Sequence, residues 1–514
     1  MAQSPSTVPE LLERNRTWRA GHDAVVTRHD RLTHDELEAS SRVVAARLGA
    51  DGVARGSRVG LLAENGIDWV VAAVAVMRLG GVLVPLSTLL SVGELRAQLA
   101  VAEVGLVLAT GAFKGRDLHA VATEAASGLD PAPRVRPLHT VVAPAPPADA
   151  DRPEPVAAPP PVRPDDDLVV LFTSGSRGTP KGTLHTHRSA TLAISAGLTA
   201  RCVGPDDRVY LPMPLFWTGG FSSGLFTMLV AGSTLLTEAE PDPPGTLALL
   251  EAERATLFRG WPDQAARLAE HPARAQVDLS SLRDASLPAM LPEARRPAPG
   301  ARPNLLGMTE SFGPYCAERL DRDLPPELHG CCGRPFPGIE VQVVDPASGE
   351  VVPSPVHGEL WLRGPSLLRG ICGRSPSEVF TPEGWYRTGD LGRIDQGGHV
   401  WFEGRLDDMF KVSGASVYPS EVETALRALD GVREAHVVAV PGEQGPRVGA
   451  LVVGDRAATE LRALAREQLS PFKVPTCWFV TTDAAVVPRG GTGKVELEGV
   501  RALLVSRGER ASGT

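Results

Sequence analysis

Between Leu171 and Gly182 the chain reads Leu-Phe-Thr-Ser-Gly-Ser-Arg-Gly-Thr-Pro-Lys-Gly, an apolar run ending in hydroxyls, glycines and one lysine. Such a segment can hold phosphates. Thr173, Ser174 and Ser176 offer hydroxyl groups, Gly175, Gly178 and Gly182 let backbone N–H groups approach an anion, and Lys181 adds a mobile positive charge. A Walker A loop is excluded, because it needs glycine before the lysine and Ser or Thr after it, whereas Pro180 and Gly182 flank Lys181. Lysine is scarce elsewhere: Lys114, Lys181, Lys411, Lys473 and Lys494 are the only five among 514 residues, and arginine carries nearly all other positive charge. Retention of a compact, repositionable ammonium in a glycine-rich setting, as at Lys181 and Lys494, points to chemistry.

The elements that must position these groups follow from periodicity. Leu168–Phe172 reads as a buried strand leading into the loop. Upstream, Thr33-His-Asp-Glu36 has the form of a capping box, and Leu37, Val43, Val44 and Leu48 recur at helical spacing behind it. Short apolar runs at Val59–Ala63, Val82–Pro85 and Val104–Ala109 alternate with helical patterns, which predicts βαβ units and a largely parallel sheet. Residues 143–167, rich in proline, alanine and acidic side chains, read as an exposed connector. From about Gly404 the pattern changes to a compact α+β unit, with a strand at Val437–Val440, a helix near Ala458–Leu469 and a tail carrying Gly490-Gly-Thr-Gly-Lys494.

Composition narrows the function classes. The length exceeds one ordinary hydrophobic core, so two or more domains are expected. A net charge of −9 and the lack of basic clusters argue against a nucleic-acid partner. The N-terminus shows no basic segment followed by an apolar stretch, so a cytoplasmic location is expected. Trp69–Leu79, interrupted by Arg78 and followed by Gly80-Gly81, is too short to span a bilayer and reads as a buried helix. The six cysteines show no C-x-x-C spacing, so no zinc site or redox motif is predicted, and buried free thiols are expected.

Three further segments follow the phosphate loop in order: Gly307-Met-Thr-Glu310, Tyr386-Arg-Thr-Gly-Asp390 and Gly404-Arg-Leu-Asp-Asp-Met-Phe-Lys-Val-Ser-Gly414. Together with the loop they resemble the adenylate-forming superfamily of acyl-CoA synthetases, peptide-synthetase adenylation domains and luciferase, from roughly Asp35 to Lys494. Bacterial acyl-CoA synthetases are the most similar in look. The resemblance implies an α/β fold with a large N-terminal domain of layered α/β subdomains, residues 1–405, and a small mobile α+β C-terminal domain, residues 406–514. It also implies a reaction in which a carboxylate attacks the α-phosphate of ATP, where cations and oriented dipoles must screen like charges.

On this resemblance, residues 173–181 hold the β- and γ-phosphates, Thr309 faces the α-phosphate, and Glu310 binds Mg²⁺, a hard carboxylate suiting a hard cation. Gly307 belongs to the same nucleotide segment. Asp390 accepts hydrogen bonds from the ribose, and Arg405 reaches the ribose or phosphate. Lys494, in the 488–494 loop, bridges the substrate carboxylate and the α-phosphate, and placing both reactants is most of the catalysis. Asp407 occupies the hinge position. Lys411, Ser413, Gly414 and Ala415 match the segment that approaches the pantetheine of coenzyme A after the small domain turns.

Departures from the family pattern are informative. Arg177 stands where a small residue is usual and either adds a bidentate phosphate contact or points to solvent. Leu306 replaces an aromatic that packs on adenine, and the adenine segment itself is altered to Ala285-Ser-Leu-Pro-Ala289. In the acyl-pocket segment Pro214–Gly224, Trp217 stands where many acyl-CoA synthetases have histidine, next to Thr218, Gly219 and Gly220. The pocket reads as apolar. Its glycines either make room for a bulky alicyclic or aromatic acid or allow close helix packing. No Asp lies there to grip a substrate ammonium, which disfavours an amino acid.

The expected activity is that of an ATP- and Mg²⁺-dependent acyl-CoA ligase, an acid-thiol ligase forming acyl-AMP and then the CoA thioester. An adenylating enzyme loading an acyl carrier protein is the nearest alternative, and a catalytically silent nucleotide-binding regulator is another. Expected partners are a small carboxylic acid and coenzyme A or a carrier protein, with a homodimer left open.

Overall fold

The structure is a computed structural model and describes residues 6–143, 161–173, 180–408, 410–412, 415–417, 419–442, 445–469, 471–490 and 495–510. Backbone contacts divide the chain into a large unit, Met1–Val341 with Leu362–Tyr386, and a small one, Gln342–Trp361 with Arg387–Thr514.

In the large unit the expected strands assemble into a seven-stranded sheet. Its order is Gly370–Ile371, Lys181–Thr186, Asp167–Thr173, Val82–Leu86, Arg58–Leu62, Leu106–Ala109 and Arg134–Pro137. The last five run parallel, and Lys181–Thr186 turns back antiparallel on Asp167–Thr173. All five residues of Val82–Leu86 are buried, as a parallel strand covered on both faces requires. The strand expected from Val104 begins only at Leu106, because the Val104 N–H bonds back to Leu99 O at the end of the preceding helix. A second sheet, mostly parallel, runs Leu257–Phe258, Arg208–Tyr210, Thr234–Leu236, Asp23–Val26, Arg31–Thr33.

The capping box forms as read: Glu36 N–H donates to Thr33 Oγ1 and Thr33 N–H to Glu36 Oε2, opening a helix His34–Ala50. Leu37, Val44 and Leu48 are buried, but Val43 is 38% exposed. It sits about 100° around the helix from Val44 and cannot share its face. The helix Ile67–Arg78 is buried from Trp69 to Met77 and occupies the centre of the largest apolar cluster. Among the described residues no helix is long and apolar enough to cross a membrane. Five of the six cysteines are buried, as expected; Cys372 is only half-buried.

The Gly307–Glu310 motif lies in a three-stranded antiparallel sheet, Leu306–Met308, Gly313–Ala317 and Arg334–Pro335, with a single 3-10 turn, Thr309–Ser311, at its hairpin. The strands Tyr386–Ile394 and Val400–Arg405 pair as a hairpin, all of it in the small unit but Tyr386. Beyond them Val432–Val440, Arg447–Gly454, Cys477–Thr481 and Glu509–Arg510 form a mixed sheet, flanked by the helix Ala458–Gln468. The first of these is longer than the expected Val437–Val440 because pairing with Arg447–Gly454 runs its whole length.

Candidate active site

The antiparallel return of Lys181–Thr186 sets Lys181 opposite Thr173, at the end of the strand that leads into the phosphate loop. From there the Lys181 ammonium donates to Glu310 Oε1 and, at 3.0 Å, to the Tyr386 hydroxyl. Tyr386 in turn donates to Glu310 Oε1 at 3.0 Å. Glu310 is 5% exposed. Burial pushes its pKa up, but the charge and hydrogen bond of Lys181, with help from Tyr386, outweigh burial and hold it below the usual carboxylate range. A buried, ionised carboxylate thus faces an ammonium in a site built from three distant parts of the chain.

Thr309, one residue earlier, is fixed at both ends. Its hydroxyl lies 2.9 Å from that of Thr218, and its carbonyl accepts from His185 Nε2 at 2.8 Å. His185 is fully buried, and that burial pulls its pKa down to about 4, so the imidazole is neutral with its proton on Nε2. Gly307 is required by close approach, since a Cβ there would come within 2.5 Å of Gly313 O.

Thr218, Gly307 and Thr309 open onto a cavity of about 1080 Å³, lined also by Gly219, Trp261 and Leu305, among others. Leu306 is buried and is not among the lining residues, whereas its neighbours Leu305 and Gly307 are. The altered segment Ala285–Ala289 lines it too. Trp217 and Gly220 are not among the lining residues. Trp217 stands behind the wall, edge-on to Trp261 with ring centroids 5.8 Å apart. Gly220 serves packing, since a Cβ would come within 2.0 Å of Pro214 O. The segment continues as a π-helical turn, Phe221–Phe226. The wall is mostly apolar, as expected, but Arg201 and Arg259 also line the cavity.

In the small unit, Asp390 and Arg405 are direct cross-strand partners in the hairpin. Arg405 Nη1 donates to Asp390 Oδ1 at 2.5 Å and to Thr388 O at 3.0 Å. Asp390 is buried and Arg405 exposed. Gly389 between them has a φ of +70°, and its N–H is held by Glu359 at 2.9 Å. Asp407 falls in the 3-10 turn Leu406–Asp408, and Lys411 and Ala415 lie on the paired strands Phe410–Val412 and Ala415–Val417. Ser174, Gly175, Ser176, Arg177, Gly178, Ser413, Gly414 and Lys494 lie outside the described residues.

Sequence reasoning gave no role to Tyr386, His185, Arg201, Arg259 or Trp261. Tyr386 opens a motif that was noted, so its position was the available signal. The others carry no local pattern, since each reaches the site only through sheet pairing or chain reversal.

The sequence and the fold match known proteins. The AMP-binding enzyme family matches residues 12–372, and the AMP-binding enzyme C-terminal domain matches residues 421–494. The chain belongs to the AMP-binding enzyme family. It is 32% identical to a methyl-dioxo-octahydroindenyl-propanoyl:CoA ligase of Mycobacterium tuberculosis, over 97% of this chain and 99% of that one. A feruloyl-CoA synthase of Amycolatopsis is also 32% identical, over 93% of this chain and 96% of that one. Among solved structures, ATP-bound MatB from Rhodopseudomonas palustris superimposes with a TM-score of 0.79 at 26% identity, covering 96% of this chain and 98% of that one. The family member described here is thus an α/β protein with a large N-terminal and a small C-terminal domain.

Proposed function

We propose that this protein is an ATP-dependent, AMP-forming carboxylate:CoA ligase that joins an acid to coenzyme A through an acyl-AMP. The observation that carries the reading is the Lys181, Glu310 and Tyr386 cluster, beside the paired hydroxyls of Thr218 and Thr309 at the wall of a large cavity. Attack of a carboxylate on an α-phosphate sets anion against anion, so a site for it must present cations and donors at fixed positions.

Lys181 and the 173–182 loop take the β- and γ-phosphates, and Thr309 lies toward the α-phosphate. Glu310 fits Mg²⁺: its carboxylate is held ionised, and both protein donors described above are on Oε1. Bound there, the ion would supply charge screening for the polyphosphate. Asp390 accepts from the ribose, with Arg405 fixing its orientation from across the hairpin. Lys494 bridges the two reactants during adenylation. Asp407 is the hinge between domains 1–405 and 406–514, and Lys411, Ser413, Gly414 and Ala415 approach the pantetheine arm for thioester formation in the cytoplasm. Relatives named for an alicyclic and an aromatic acid support a bulky substrate.

The test is mass spectrometry of products formed from ATP, Mg²⁺, CoA and pooled carboxylic acids. Acyl-CoA and AMP appearing together is the expected result. Accumulation of acyl-AMP alone would transfer the reading to an enzyme that loads a carrier protein, and ATP binding without any turnover would favour a silent regulator.

A further inference from the structure

Arg201 is 4% exposed yet lines the same cavity as Thr309 and Thr218. Its guanidinium is anchored on one side only: Nη1 donates to Thr227 Oγ1 at 3.2 Å, and Thr227 Oγ1 passes the chain on to Ser222 O at 2.9 Å. A second cavity-lining guanidinium, Arg259, donates to the backbone carbonyls of Ala285 and Arg201, while its Nε is buried without a partner. Among the described residues neither arginine forms an ion pair with a carboxylate. The carboxylate whose charge acts on Arg259, Asp207, is already taken by Arg283 and Thr256. Ser222, fully buried on the same wall, has an Oγ with no partner.

Two guanidiniums on the wall of a substrate cavity, neither ion-paired with a carboxylate among the described residues, form an incomplete site. A bare buried cation is costly, and an anionic, planar oxygen group that accepts from its free edge offsets that cost. The third arginine on the wall, Arg302, is paired with Asp323, and apolar side chains such as Leu211, Met213 and Trp261 make up much of the rest. We propose that the acid activated here carries a second carboxylate on an apolar body, and that Arg201 reads it, with Arg259 supplying field and holding the Arg201 backbone. The inference rests on the ligase reading and names its substrate class. Burial lowers both arginine pKa values, Arg201 to about 9 with the charge of Arg259 adding to the effect, and Arg259 to about 10. Both remain charged at neutral pH, so the shifts register the strain of holding them without an anion.

The experiment compares matched acids on the full-length protein with ATP, Mg²⁺ and CoA: benzoate against terephthalate and para-acetylbenzoate, and hexanoate against adipate. The wild-type protein should prefer each diacid over its monoacid by about 30-fold or more in kcat/KM, the scale of one charged hydrogen-bonded contact. Arg201→Met and Arg201→Gln should lower kcat/KM for the diacids by about 100-fold, while the monoacids and the KM for ATP stay within about threefold. A wild-type preference for monoacids overturns the inference without any variant being made, and leaves the ligase reading standing. Equal use of para-acetylbenzoate and terephthalate overturns the requirement for charge. Equal loss for both acid classes in the two variants assigns Arg201 a structural role instead. If no acid of either kind yields acyl-CoA, the ligase reading fails and this inference with it.

Discussion

Two cation–carboxylate pairs in this molecule use similar groups in opposite settings. Lys181 and Glu310 meet from 129 positions apart, with Tyr386 a further 76 along, and the carboxylate is buried. Arg405 and Asp390 meet across a hairpin, 15 positions apart, with the arginine 43% exposed. The first pair exists only because two sheets bring two distant segments together, and its charges are weakly screened. The second is local, and water shares its cation. A pair of the first kind ties function to the integrity of the whole unit; one of the second kind can exchange partners with little effect on the fold.

Acid should expose the difference most strongly. His34, His185 and His187 in the large unit are each pulled down by burial to about 4. The unfolded chain takes up their protons from about pH 6.5 downward and the folded chain does not, so stability is full above about pH 6.5 and falls as pH drops toward about 4. The loss is at most about 1.4 kcal/mol per pH unit for each histidine. In the small unit the lowered groups include Asp345 and Asp395, whose contribution is present above the usual Asp value and is lost only as pH falls below about 4. Limited proteolysis at pH 5 should therefore cut the large unit first; earlier cleavage of the small unit would break the contrast.

Next in size, Glu310→Ala should cost about 3 kcal/mol in urea denaturation, because it strands a partly buried ammonium, and it should abolish measurable pyrophosphate release. The double variant Lys181→Met, Glu310→Ala should regain much of the stability but none of the activity. An unchanged urea midpoint in the single variant would mean that the pair is no more coupled than a surface one. Asp390→Asn should act the other way round, raising the KM for ATP by an amount equivalent to about 2 kcal/mol while leaving stability nearly unchanged, since Arg405 can turn to water. A large loss of stability there would erase the distinction between the two pairs. The smallest effect expected is that of Tyr386→Phe, about 1 kcal/mol in kcat/KM from one hydroxyl that serves both Lys181 and Glu310. No effect at all would remove Tyr386 from the cluster.

How much of this was legible beforehand follows the same division. The capping box at Thr33 and Glu36, the buried helix around Trp69–Met77 and the short parallel strands were visible because each is specified by residues within one or two turns of each other. The pairing of Asp390 with Arg405 is likewise set by hairpin register. Val43 was misplaced because a period tells which residues share a face only to within one residue, and facing depends on what the element packs against.

The sequence by itself determined the class of chemistry: hydroxyls, glycines and a few retained lysines in a fixed order, each motif short enough to be written locally. It could not determine which charged groups line the cavity. Arg201 and Arg259 stand 58 positions apart with nothing local to distinguish them from the many surface arginines of the chain, and only folding removed water and carboxylates from around them. Burial is a property of the packed tertiary structure, and it is burial that turns an ordinary guanidinium into a demand for a particular ligand.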